Sequence, residues 1–209
     1  MSSSTRRRTW IIAGAGLIFC GVAGMLQSSL IATGGSLVLR TVADVIFAAS
    51  MLLFAFGLSR DASVVERKPL GAGALTVFAL WPLLALALTP ALEPDPSSGS
   101  GSWEIYGYVT LLVPAASALI AASQIARGRT VPAPWRWAPM WVLGLCAVTW
   151  IIPQIVFATV RPESIQTFAD LFVMLSALAS LAGTLGLGIL AVALALRPQS
   201  GSVEVFRSA

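Results

Sequence analysis

The chain has 209 residues and a formal net charge of +4, with 57% hydrophobic and only 11% charged residues. A soluble globular domain carries roughly a quarter of its residues as Asp, Glu, Lys or Arg, so this composition and a mean hydropathy of +0.86 exclude a soluble protein. The basic residues cluster at the ends of apolar runs, where they set membrane topology, and no nucleic-acid partner is expected.

Six apolar runs are each long enough for an α-helix to cross the ~30 Å hydrocarbon core. A basic segment, residues 1–9, precedes the first run, which we interpret as an uncleaved signal anchor because it is longer than a signal-peptide core. A polar tail, residues 197–209, follows the last run. The predicted spans, all within one transmembrane domain of residues 10–196, are 10–32, 36–58, 70–89, 103–125, 138–160 and 167–196.

The predicted fold class is all-α: a polytopic integral membrane protein with six transmembrane helices in a compact bundle. Basic residues accumulate on the cytoplasmic side of membrane proteins, which places both the N- and the C-terminus in the cytoplasm. Arg161 then lies outside and Arg40 lies in the membrane. The eleven basic residues on the cytoplasmic side are Arg6, Arg7, Arg8, Arg60, Arg67, Lys68, Arg127, Arg129, Arg136, Arg197 and Arg207.

Small residues recur at regular spacing in the first and the last span. In lipid, where packing rather than hydrophobicity drives helix association, such rows let two backbones approach closely. The sequence therefore predicts that each of these two helices packs closely against a neighbouring helix through its small residues. The rows are Gly14, Gly21 and Ser28 in the first span, and Ser176, Ser180, Thr184 and Gly188 in the last.

The residue types that are missing restrict the chemistry. The chain has no His, which removes imidazole metal ligands and the commonest haem ligand. Cys20 and Cys146 fall in different spans without CxxC spacing, and we interpret them as buried small hydrophobic residues. No metal and no cofactor are expected. Hydrolase and P-loop motifs are also missing from the sequence, so we predict that the protein is not an enzyme.

Arg40 and Asp44 lie inside the second predicted span. An ionisable side chain in hydrocarbon costs about 3 kcal/mol or more, so such a side chain is usually paired, turned inward and often functional. Residues four apart share a helix face, and these two are therefore expected to pair. Asp44 lies roughly 12 Å from the outer end of the span. Asp44 is the stronger candidate for a functional residue, because the longer Arg40 can extend to the headgroups.

Three further polar residues lie in the outer halves of other predicted spans. Gln27 is near the outer end of the first span, Gln154 near that of the fifth, and Asp170 at the start of the sixth. If the helices pack in sequence order, these side chains converge with Arg40 and Asp44. The sequence thus predicts a polar binding pocket that opens to the extracytoplasmic side.

Two functional hypotheses follow from this pocket. In the first, the protein is a small-solute or proton-linked carrier, or the substrate-binding subunit of a larger transporter. In the alternative, it is a non-catalytic structural or assembly subunit whose intramembrane charges only stabilise the bundle. The expected partners are membrane lipid, other membrane subunits or further copies of the chain. The preference for Arg over Lys, with much Ala and no Asn, is typical of GC-rich bacteria, which predicts the bacterial inner (plasma) membrane.

Overall fold

The computed structural model describes residues 2–30, 36–58, 63–65, 68–92, 101–128, 131–132, 134–159 and 162–197, and every regular element in them is helical. Six helical segments are long and apolar enough to cross a membrane, which confirms the all-α, six-span prediction. The elements are α1 (Ser2–Leu30), α2 (Ser36–Phe56), α3 (Pro69–Leu92), α4 (Gly101–Arg127), α5 (Ala138–Thr159), α6 (Pro162–Leu181), a π-turn (Ala182–Gly186) and α7 (Leu187–Leu196).

The helix ends follow ordinary backbone chemistry. Pro69 begins α3, a position where the missing N–H of proline costs no hydrogen bond. Gly57 ends α2 with a φ of 62°, a conformation that side chains with a Cβ rarely adopt. The first helix begins at Ser2, eight residues before the predicted span. The Arg6 guanidinium lies over the Trp10 ring four residues later, 5.2 Å from its centroid, which supports this extra helical segment.

The helices pack in sequence order and close into a ring. Each of α1 to α5 packs against the next helix along the chain, and α7 returns to pack against α1. The weakest of these helix pairs is α4 with α5. A ring of six spans has an interior that every span faces, and this interior is where a ligand site can form.

The contact between α1 and α7 closes the ring, and two glycines make it possible. A Cβ added to Gly14 would lie 2.8 Å from the backbone oxygen of Gly188, and a Cβ added to Gly188 would lie 2.8 Å from that of Gly14. Gly21 faces Thr184 and Leu185 one step further along. The contact residues increase in number along α1 while their partners decrease in number along the last span, so the two helices are antiparallel. The prediction that these small residues allow close helix packing is confirmed for Gly14, Gly21 and Gly188, and the structure shows that the first and last spans are each other's partners.

The C-terminal turn of α2 is capped by the chain that follows it. The last carbonyls of a helix have no partner inside the helix and need an external donor. The Val64 N–H donates to Phe54 O at 3.0 Å, and the Ser63 hydroxyl donates to Ala55 O. Ser63 and Val64 are both buried. The segment therefore folds back under α2 and forms part of the bundle's floor.

A π-turn interrupts the sixth span. The Leu187 N–H donates to Ala182 O, five residues back, instead of to a carbonyl four residues back. The Thr184 hydroxyl donates to Ser180 O at 2.8 Å within the same stretch. The helix before this turn packs mainly on α5, and the helix after it packs mainly on α1. The π-turn is thus the point where one span changes its packing partner.

We predict that Gly14→Leu destabilises the protein, because the new side chain must displace the backbone of α7. Overpacking of this kind costs about 1–3 kcal/mol. Gly24→Leu is the matched control on the same helix, because a Cβ at Gly24 meets no atom within 4 Å. The measurement is the thermal unfolding midpoint of the purified protein in detergent. Equal losses for the two variants would contradict the close contact of α1 with α7.

Candidate functional site

A cavity of about 900 Å³ occupies the interior of the ring. All six spans contribute to its wall, in agreement with the helix order around the ring. This volume is in the range of small-molecule sites, about 300–1,000 Å³. Representative wall residues, one from each span, are Leu17, Met51, Phe78, Ala115, Ala147 and Ser180.

The cavity is elongated along the bundle. On α4 its wall extends from Thr110 to Ile125, which at 1.5 Å per residue is about 22 Å. One leaflet of the hydrocarbon core is about 15 Å thick. The cavity is therefore long enough to hold a whole acyl chain lying parallel to the helices.

The described wall carries no charged side chain and is mostly apolar. Its polar groups are mainly hydroxyls, and several of these already bond to their own helix. Thr110 donates to Tyr106 O at 2.9 Å, and Thr149 donates to Cys146 O at 2.8 Å. Groups satisfied in this way present little hydrogen-bonding demand to a ligand. The wall chemistry suits a lipophilic molecule rather than an ion or a sugar.

Arginines and tryptophans meet at one end of the cavity, which we call the basic end. Trp10 and Trp135 both line the cavity there. The Arg6 guanidinium lies over the Trp10 ring, and the Arg197 guanidinium lies over the Trp135 ring, 5.9 Å from its centroid. Tryptophan suits such a boundary because its ring is apolar while its N–H is polar.

The register of α1 and α7 puts Arg6 and Arg197 at the same height along the bundle. Arg6 is about 12 Å from Gly14 along α1, and Arg197 is about 13.5 Å from Gly188 along α7. Because the helices are antiparallel and touch at these glycines, both distances lead toward the same end. The basic end is therefore the end at which α1 begins and α7 finishes.

The predicted Arg40–Asp44 pair is present, with Arg40 Nε 4.0 Å from Asp44 Oδ2. The Arg40 side chain is 61% exposed, and the Asp44 side chain is 23% exposed. Both residues follow the 4-3-4-3 spacing that leads to the cavity residues Phe47, Met51 and Phe54, so they lie on the cavity face of α2. They stand beyond the end of the cavity wall that is opposite the basic end.

Gln154 and Gln27 are related to this region by helix register. Gln154 lies seven residues after Ala147, a cavity residue, and therefore on the same face of α5. Gln27 lies seven residues after Cys20, whose thiol donates to Ala43 O of α2 at 3.3 Å. Gln27 is thus on the side of α1 that faces α2. Neither side chain lines the cavity in the part of the chain that is described.

Asp170 is on a different face of its helix. It is displaced by about 120–180° around α6 from the cavity residues Ser176 and Ala179, at about 100° per residue. Its side chain is exposed. The pair Arg40–Asp44 is brought together, Gln154 shares the cavity-facing orientation, and Asp170 is separated from them. A polar pocket made by all five residues stays a prediction.

The two cysteines differ in environment. Cys20 is buried between α1 and α2, as predicted, whereas Cys146 is exposed and lines the cavity. The interpretation of Cys146 as a buried residue was wrong, because α5 turns this side to an open interior rather than to a packed helix. Within the described residues, no group of three metal-ligating side chains is present.

No protein family, curated protein or solved structure matches this chain. Function must therefore be inferred from the cavity and the charged groups at its two ends. The cavity was not predicted from the sequence, although one signal for it exists. The spacing of Arg40, Asp44, Phe47, Met51 and Phe54 marks one continuous helix face with charges at only one end.

We predict that Arg40 and Asp44 are weakly coupled in stability, by about 1 kcal/mol or less, since the pair is long and Arg40 is largely exposed. Arg40→Gln alone leaves Asp44 without its cation, so adding Asp44→Asn should restore part of the lost stability. A double-mutant cycle on thermal unfolding measures the coupling. Arg40→Gln with Asp170→Asn is the control and should be additive. Additivity for both pairs would contradict the ion pair.

Proposed function

We propose that this protein binds a lipophilic small molecule in its central cavity, as a membrane carrier or as the substrate-binding subunit of a larger transporter. The observation that supports this proposal is the cavity of about 900 Å³ with an apolar wall drawn from all six spans. An apolar cavity of this size in a folded bundle is costly unless something fills it, because wall atoms lose their dispersion contacts.

The apolar wall favours a lipophilic ligand over the polar small solute or proton of the first hypothesis. A polar solute transferred into such a wall would lose its hydrogen bonds to water without replacement. The polar-solute version depends on Arg40, Asp44 and Gln154, beyond the end of the cavity. Substitutions in the cavity should therefore weaken binding of a lipophilic ligand, and substitutions at Arg40 should weaken binding of a polar solute.

A second candidate function is that of a structural or assembly subunit. One observation favours it: Arg40 and Asp44 pair within a single helix, which stabilises that helix without requiring a ligand. In this case the cavity is filled by whichever lipid is at hand, and binding shows no selectivity among lipophilic compounds.

We predict that Ala115→Phe weakens ligand binding about tenfold or more by filling the cavity, while Ala116→Phe leaves binding unchanged. Ala115 lines the cavity, and its exposed neighbour Ala116, on the same helix at nearly the same depth, does not. The new side chain takes the place of ligand contact area about equal to one aromatic ring. Losing that contact weakens binding by about 1.5–3 kcal/mol, enough for a tenfold change in affinity. The measurement is energy transfer from tryptophan to N-phenyl-1-naphthylamine, with the protein in phosphatidylcholine nanodiscs.

Saturable binding that only the Ala115→Phe variant loses supports the proposal. The same signal for both variants and for wild type, or a signal no greater than in empty nanodiscs, would exclude a binding site in the cavity. Equal displacement of the probe by every lipophilic competitor would favour the structural subunit instead.

We further propose that both termini face the cytoplasm of a bacterium, which puts the basic end on the cytoplasmic side of the plasma membrane. The supporting feature is the number of basic residues in the termini and in the loops on the same side. With a C-terminal fusion expressed in a bacterium, green fluorescent protein should fluoresce and alkaline phosphatase should be inactive. Active phosphatase would reverse the orientation.

A further inference from the structure

We infer that the cavity ligand is an amphipathic anion, with its apolar chain in the cavity and its phosphate or carboxylate group at the basic end, bound by Arg136 and Arg197. This inference deepens the proposed function and rests on it, because it names the chemical class of the ligand in the same cavity.

The first supporting observation is the one-sided distribution of charge around the cavity. The described wall is uncharged along its length, while cationic side chains gather beside the two tryptophans at one end. The opposite end carries Arg40, whose charge is compensated by Asp44. A ligand with one anionic group and a long apolar chain matches this distribution in only one direction.

The second observation is an unsatisfied donor at the basic end. Arg136 buries its Nε atom without a hydrogen-bond partner among the described residues. A buried donor of a charged group that has no acceptor is destabilising, by more than the cost for a neutral group. An anionic oxygen that reached this atom once the surrounding side chains moved aside would supply the missing acceptor. Arg136 does not itself line the cavity, but it is the residue directly after Trp135, which does.

The turn that carries these residues is held by its own backbone. The N–H groups of Trp135 and Arg136 both donate to Pro132 O, at 3.0 and 3.2 Å, and the Ala138 N–H donates to Trp135 O at 3.1 Å. This turn fixes Trp135 at the cavity and Arg136 next to it before a ligand arrives. A preorganised backbone of this kind increases affinity because less ordering is required on binding.

Arg197 can bind an anion while it remains over Trp135. A guanidinium contacts an aromatic ring through its flat face, and it binds an oxyanion through the N–H groups at its edge. The two interactions use different parts of the side chain. Arg197 also follows the last residue of α7, where a cation is favoured by the negative end of the helix dipole.

The length of the cavity fits the apolar part of such a ligand. The wall of about 22 Å along α4 exceeds the ~15 Å of one leaflet, so a long alkyl chain can be enclosed from the basic end inward. The anionic group can come from a bilayer phospholipid or from a free single-chain amphiphile. Both share the chemistry on which the inference depends.

The test compares two probes with the same chain and different head groups, hexadecyl phosphate and hexadecanol. Each is titrated against N-phenyl-1-naphthylamine bound to the full chain in phosphatidylcholine nanodiscs. Arg136→Gln and Arg197→Gln should each raise the hexadecyl phosphate concentration needed for displacement about tenfold, since a charge-assisted hydrogen bond is lost. Hexadecanol displacement should not change. Because a given probe partitions into the bilayer alike for all variants, comparing variants isolates the contribution of each arginine.

Arg127→Gln is the matched control, an exposed arginine at the end of α4 on the same side of the bundle. Arg197→Lys, which keeps the charge, should retain most of the affinity for hexadecyl phosphate. Thermal unfolding midpoints close to wild type establish that each variant is folded. If Arg136→Gln fails to fold, Arg197→Gln and Arg197→Lys still provide the comparison.

The outcomes separate this inference from the proposed function. If hexadecyl phosphate and hexadecanol compete equally and the arginine variants behave as wild type, the lipophilic site stands and the anionic head group is excluded. If Arg127→Gln raises the hexadecyl phosphate concentration needed for displacement as much as Arg136→Gln and Arg197→Gln do, the effect is one of general surface charge and the inference is overturned. Failure of both probes to displace the dye from wild type would overturn the inference and the lipophilic site together.

A second arm identifies the source of the anion. Replacing part of the phosphatidylcholine by phosphatidylglycerol introduces a phospholipid with a net negative head group. Competition between this lipid and hexadecyl phosphate assigns the site to a bilayer phospholipid. Displacement that is independent of phosphatidylglycerol assigns it to a free single-chain amphiphile.

Discussion

The close approach of α1 and α7 at Gly14 and Gly188 is the contact on which the architecture depends. It joins the first span to the last, and a ring rather than an open row of helices results. A ring must have an interior, and six helices that touch mainly their neighbours leave that interior partly empty. The same contact sets the levels of Arg6 and Arg197, so one pair of glycines determines both the existence of the cavity and the position of its basic end.

The hydrocarbon environment explains why the polar groups are arranged as they are. Hydroxyls in the spans donate back to carbonyls of their own helices, because no water is present in the bilayer core to accept from them. Several charged side chains are compensated by other groups of the chain. Asp44 has Arg40 one turn away, and two of the arginines at the basic end lie over tryptophan rings.

Much of the fold could be predicted from the sequence, and the cavity could not. Span number and the pairing of Arg40 with Asp44 depend on local quantities, namely the length of apolar runs and the spacing of residues on one helix. Close packing at Gly14 and Gly21 was indicated by small residues at regular spacing, but their partner, the last span, was not. The exposure of Cys146 and the orientation of Asp170 depend on how each helix is rotated in the ring, which no local pattern determines in a sequence that is apolar on every face.

The π-turn at Ala182–Gly186 has a consequence for how the sixth span tolerates change in length. A wide turn takes up more residues per revolution than an α-helix, so it changes the angular phase between the two halves of the span. The faces of α6 and α7 are therefore set independently, one by α5 and the other by α1. Losing one residue within this stretch would return the span to a single α-helical phase and force one of its two neighbours out of register. The five residues of the π-turn set the rotation of α7 relative to α6, so their number matters as much as their identity.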